Sequence, residues 1–276
     1  MQDKFFFLPV KRRVDFQGGS LFPLDEFDER MEAIKAEVDT HDGHFYYHSP
    51  LPPFQLPASH MLEITDPLMG NFRDEDGAFL MQLAGYLFGY RLQFHDWWID
   101  GRLPINRNTH AVVFHNDASG SFFSRAYACW KTWDEKSRKF FPDILYAHAR
   151  APSYYWEWEQ FTFEYTVLDA LFRHAVDINA LTKGGFHGDR IRRLCSKYGL
   201  QQHEDIFTEI VKLRNDWQHE ARWDGKRPGS DTEQRGYHLN MCLRSINQRL
   251  IAAMLDFEGE YTASDWRIWV ATHVFE

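Results

Sequence analysis

Within the stretch VKLRNDWQHEARW an arginine, an asparagine and a histidine stand at Arg214, Asn215 and His219. A histidine titrates near neutrality, so it can take a proton or give one. An arginine fork stabilises negative charge as it grows on phosphate oxygens. Asn215, next to Arg214, can hold the imidazole in a reactive orientation. These three types suit acid–base chemistry at a phosphodiester. An arginine followed by a histidine after four to six intervening residues also arises at Arg267 and His273, in RIWVATH. Requiring a polar residue directly after the arginine leaves only Arg214, because Arg267 is followed by Ile268.

Such residues need an element that turns them away from a core. At about 100° per residue, Ile206, Ile210, Leu213 and Trp217 fall within about 60° of arc and form the apolar stripe of a helix. On that wheel Asn215 lies about 170° from the centre of the stripe, His219 about 150° and Arg214 about 70°. Asn215 and His219 are four apart, so they can touch on one polar face. A histidine serving only as core packing belongs on the stripe, and this one is off it. A merely solvated polar face is the competing reading.

The surrounding pattern predicts a bundle. From Pro152–Ser153 a long helix carries Phe161, Tyr165, Leu168, Phe172 and Ala175, ended by Gly184–Gly185. A short basic helix follows, with Ile191, Leu194, Cys195 and Tyr198 on its apolar side. The helix bearing the motif comes third and should end near Gly225. A fourth carries Leu239, Leu243, Ile246, Leu250 and Met254. Two further helices are expected before these, one in FFSRAYACWKTW and one in EKSRKFFPDILYAHA that Pro142 should kink or divide. The expected fold is α+β: a mixed N-terminal region over 1–117 and an all-α region over 118–276. Residues 1–117 are broken by glycines and prolines around short aromatic runs, with strands in KFFFLPV, HFYYHSP, LEIT and AVVFH. They also hold a helix over 27–38 and a long apolar segment running toward Tyr90.

Arg214, Asn215 and His219 on the third of four helices resemble the signature of the HEPN superfamily, with the Apea-like branch nearest. The resemblance covers roughly residues 150–260. It implies a HEPN-like four-helix bundle and a metal-independent endoribonuclease that cuts RNA by transesterification, leaving 2′,3′-cyclic phosphate ends. It also implies a homodimer, in which a second His219 completes the acid–base pair, and a toxin or anti-phage defence setting. The alternative is a HEPN-like module that binds RNA, a nucleotide or a partner protein without cutting. In the nuclease reading the region over 1–117 is expected to sense a trigger or bind an antitoxin.

Charge agrees only locally. The chain of 276 residues carries a formal net charge of -9, which excludes a protein that coats nucleic acid with a basic surface. Between 183 and 227 the balance reverses, and Arg190, Arg192, Arg193 and Lys197 on the second helix are candidate phosphate contacts. Three scattered cysteines suggest neither a disulfide framework nor a thiolate metal site. His41, His44 and His48 stand close together with Asp42 beside them, but no carboxylate or cysteine spacing completes a standard zinc set, so no metal is assigned. His95–Asp96 reads as a packed aromatic corner, and Glu164 or Asp169 can line the cleft of His219. The apolar segment over 77–90 is too short for the roughly 20 residues of a membrane span, and no secretory leader is recognisable. A cytoplasmic location is therefore expected.

Overall fold

The computed structural model describes residues 1–6, 11–36, 38–41, 44–47, 58–68, 72–94, 118–154, 156–224, 235–257 and 259–267. The chain divides into two compact units, one reaching Lys131 and one beginning at Thr132. Both strands and helices are present, and the helices dominate the second unit, giving an α+β chain. Among the described residues no helix is long and apolar enough to cross a membrane.

In the first unit a five-stranded sheet is formed by β1 (Gln2–Phe6), β2 (Val14–Phe16), β3 (Gly19–Pro23), β6 (His60–Ile64) and β7 (Gln93–Phe94), in the order β2-β3-β6-β1-β7. All its pairs are antiparallel. A separate hairpin joins β4 (Val38–His41) to β5 (His44–Tyr47). Gly18 and Gly19, which read in sequence as a break between elements, instead build the β2–β3 hairpin. Gly18 takes φ 102°, and a Cβ on Gly19 would stand 2.3 Å from the Glu63 carbonyl of β6. Helix α1 (Phe27–Ala36) ends two residues earlier than expected.

Helix α2 (Asp76–Phe88) is apolar nearly all round and almost wholly buried, and Gly89 closes it in the left-handed region. Its Phe79 stacks on Trp130 of α3 (Ala118–Lys131) at 4.7 Å, so α3, although helical, belongs to the first unit. Buried Asp76 accepts hydrogen bonds from the Tyr127 hydroxyl and the Leu68 amide. The expected strand over 111–115 and the His95–Asp96 pair lie outside the described residues.

The second unit holds α4 (Glu135–Arg150), α5 (Glu157–Asp177), α6 (His187–Lys197), α7 (Glu204–Glu220), α8 (Arg235–Met254) and the short α9 (Glu260–Ala263). Asp134 caps α4 by accepting from the Ser137 amide at 2.8 Å. This helix continues through Pro142 without dividing. Helix α5 starts at Glu157, after a 3-10 turn over Ala151–Ser153, and α6 opens with Asp189 accepting from the Phe186 amide at 3.1 Å. The expected seam of α8, Leu239 through Met254, is buried throughout. Helices α5 and α8 pack together, with α4, α6 and α7 around them.

A polar knot crosses this core. Glu164 of α5 accepts from Arg244 at its Oε1, at 2.6 Å, and from Asn247 at its Oε2, at 2.8 Å, and His148 Nδ1 lies 3.0 Å from that Oε2. Burial would raise the Glu164 carboxyl. The opposing charges of His148 and Arg244 and the hydrogen bonds outweigh it, holding the group at about 2. Burial in turn lowers His148, against the pull of the Glu164 carboxylate that its Nδ1 faces. Two buried thiols, Cys195 on α6 and Cys242 on α8, are pushed up to about 12 by burial.

Candidate functional site

Helix α7 turns its apolar side inward through Phe207, Ile210 and Leu213. The expected stripe named Ile206 and Trp217 instead of Phe207; both are only half-buried. The inward face is therefore rotated toward Arg214, because α7 packs against α6 as well as α8. Arg214 is half-buried in consequence, while Asn215 and His219 are exposed. The helix stops at Glu220, before the expected Gly225, because Ala221 adopts the left-handed conformation at φ 53°. The amides of Ala221 and Arg222 then close back onto the carbonyls of Trp217 and Asp216.

The three motif residues meet. Arg214 Nη1 donates to Asn215 Oδ1 at 2.9 Å and to His219 Nε2 at 3.2 Å. Arginine has no acceptor, so the Nε2 of His219 supplies the lone pair and its ring proton sits on Nδ1. The Arg214 guanidinium also lies over the ring of Tyr165 from α5, with Cζ 5.7 Å from the centroid. One helical turn away, Trp217 donates to Thr162 Oγ1 at 3.1 Å and faces Trp158 and Trp223, which ties α7 to α5.

Tyr165 connects this group to a second one. His187, the first residue of α6, has its ring centroid 5.8 Å from that of Tyr165. Its Nδ1 faces Asp169 Oδ1 at 3.6 Å, longer than a hydrogen bond, while Arg190 donates to the same oxygen at 2.7 Å. Burial lowers His187, and the charges of Arg214 and Arg190 lower it further against the opposing pull of Asp169. Burial, with Asp169, raises the phenol of Tyr165 despite those two cations. Beside His187 the phenyl ring of Phe186 is 87% exposed.

The cations of α6 are more committed than their sequence suggests. Arg190 is paired with Asp169 and lies over Phe172. Arg192 donates to Glu204 at 2.5 Å, and Arg193 donates to the carbonyls of Gly184 and Thr182. Lys197 is exposed, and an open groove of about 490 Å³ is lined by Arg192, Arg193, Lys197, Ser196, Leu181 and Gln202.

Of the two carboxylates expected near His219, Asp169 joins the Tyr165 cluster, whereas Glu164 is locked in the buried knot with His148 and Arg244. Arg267 is held by Asp265, and His273 lies outside the described residues. His41 and His44 are cross-strand partners on β4 and β5; Asp42 and His48 lie outside the described residues. Among the described residues no three of His, Cys, Asp and Glu gather as metal ligands would.

His187 escaped the sequence reading because no motif includes it. Its signal was positional: on the α6 wheel it falls in line with the buried Ile191 and Leu194, where a histidine must face the neighbouring helices. Compared with family models, with curated proteins and with solved structures, the chain matches none.

Proposed function

We propose that the α5–α7 cluster is the active site of a metal-independent endoribonuclease, of the HEPN type that its motif resembles. The observation that carries the reading is the convergence of Arg214, Asn215 and His219 on a solvent-facing turn of α7. Arg214 donates to a histidine lone pair and can exchange that partner for a phosphate oxygen, a stronger acceptor for a guanidinium. The exchange frees His219 Nε2 to take the proton of a 2′-hydroxyl. The 2′-oxygen then attacks phosphorus and Arg214 stabilises the crowded oxyanion. The exposed ring of Phe186 offers a base a surface on which to stack. A toxin or phage-defence setting, with the first unit as sensor or antitoxin platform, follows from the resemblance. A second proton-transfer group is needed beside His219, from a second copy of the chain or from the same chain.

The test is cleavage of single-stranded RNA with excess EDTA present. Cutting should persist and leave 2′,3′-cyclic phosphate and 5′-hydroxyl ends. Arg214→Ala and His219→Ala should each lose on the order of 10²-fold or more, the scale for removing an acid–base group or a charge stabiliser. Arg267→Ala should stay within a few-fold of the parent. Equal damage at Arg267, or products bearing 5′-phosphate, would sink the reading. The engagement of Arg190, Arg192 and Arg193 in internal pairs favours one rival, a module that holds RNA or a nucleotide without cutting. Tight binding with no cleavage under any condition would establish that rival.

A further inference from the structure

We infer that His187 is the general acid of the Arg214–His219 site, so that one chain supplies both proton-transfer groups. This rests on the ribonuclease reading and adds a residue outside the motif. Three geometric facts carry it. His187 and Arg214 both approach the ring of Tyr165, at 5.8 and 5.7 Å, and the Arg214 charge reaches His187, so the second imidazole shares one cluster with the group that would hold the phosphate. Its Nδ1 faces the Asp169 carboxylate, which orients the ring and leaves Nε2 as the nitrogen that can serve a substrate. Its side chain keeps 30% of its surface exposed, so solvent and substrate reach it.

The division of labour follows from the partners. His219 Nε2 is an acceptor, which suits a base. His187 faces the Asp169 carboxylate, which favours its protonated form against burial and the charges of Arg214 and Arg190. That opposing pull is what an acid needs once Arg214 turns to a phosphate. In the step, the 2′-hydroxyl proton passes to His219 Nε2 as the P–O2′ bond forms. The P–O5′ bond breaks, and the proton of His187 Nε2 passes to O5′. Water then returns His187 to its protonated form and takes the proton from His219, so no other reactant is consumed. The charged and titratable groups around His187 are Tyr165 and Asp169 of α5, Arg190 of α6 and Arg214 of α7. Arg214 would turn its charge to the phosphate on binding, which relieves its effect on His187 and lets the imidazole hold a proton.

The experiment compares ordinary RNA with a dinucleotide whose 5′-oxygen is replaced by sulfur, a leaving group that needs no proton. His187→Gln should lose on the order of 10²-fold on ordinary RNA and recover to within a few-fold of the parent on the sulfur substrate. His219→Ala should stay impaired on both. Asp169→Asn should move the falling limb of the pH–rate profile to lower pH, and Arg190→Gln should move it to higher pH. A tethered dimer with one intact protomer and one His219→Ala protomer should keep about half the rate. If it falls to the double-mutant level, the second group comes from the partner copy and the inference is wrong. An unimpaired His187→Gln with an impaired His219→Ala overturns the inference while sparing the ribonuclease reading. Binding of 3′-uridine monophosphate, followed by the imidazole NMR signals, gives a readout without turnover. Both His187 and His219 should move; movement of His219 alone rejects the role for His187. A parent chain that neither cuts RNA nor responds to the nucleotide removes the site itself.

Discussion

His174 carries a price that the rest of the helical unit must cover. It is fully buried on α5 against Trp133 and Phe141, with ring centroids 4.4 and 4.8 Å away, and neither ring nitrogen has a hydrogen-bond partner among the described residues. Burial lowers it to about 4, whereas an exposed histidine titrates near 6.5. The unfolded chain therefore binds the extra proton between those values, and the folded chain refuses it. Stability from this group is complete above pH 6.5 and declines as the pH falls toward 4, by at most about 3 kcal/mol. His174→Phe should flatten that decline, as read from urea midpoints at pH 7 and pH 5. An unchanged slope would show that His174 takes up its proton as readily in the fold as in the unfolded chain. Glu164 acts in a lower window: its carboxyl is held at about 2, so its contribution is present above the ordinary carboxylate range and is lost as the pH falls toward 2.

At the level of elements, α4, α5 and α8 are pinned by a contact that hydrophobic periodicity does not reveal. Arg244 reaches both the His148 carbonyl and the Glu164 carboxylate from the middle of α8, with 7% of its side chain exposed. Removing one partner of a buried pair strands the other charge. Arg244→Leu should therefore cost about 3 kcal/mol or more in equilibrium unfolding, and a loss under about 1 kcal/mol would mean Glu164 is already protonated. The α8 seam was readable in sequence because its apolar residues repeat at a single period, but the helix is buried almost all round, and polar Asn240, Arg244, Asn247 and Arg249 lie inside with the seam. Helix α7 was readable in its start but not in its end or its facing: the left-handed Ala221 stops it early, and its contacts with two neighbours widen the buried side toward Phe207. Arg214 is pulled half inward with it. Of the two outcomes expected at Pro142, a kink or a division, the structure excludes the division: α4 runs through it as one helix. The motif at 214–219 was legible because its residues lie within two turns of one helix. Asp169 was named only as one of two carboxylates that could line the cleft, and His187 was not named at all, since it comes from another helix and only packing brings it to Tyr165.

At the scale of the molecule, the acidic chain keeps its cations where they already have partners. With Arg190, Arg192 and Arg193 engaged by acids or carbonyls, a net charge of -9 leaves little field to draw an anion in from a distance. On the ribonuclease reading, affinity for RNA would then have to come from short-range contacts at the cluster itself. The two thiols buried on α6 and α8 offer a clock for that cluster. Held at about 12 and sealed from solvent, neither can be alkylated at neutral pH unless its helix lifts away. Helix α6 has 11 residues and α8 has 20, so α6 should detach more often. Timed alkylation read by mass spectrometry should therefore mark Cys195 before Cys242, and equal rates would mean that the unit opens only as a whole. Because α6 carries His187 at its first position, the labelling rate of Cys195 measures how often the site comes apart.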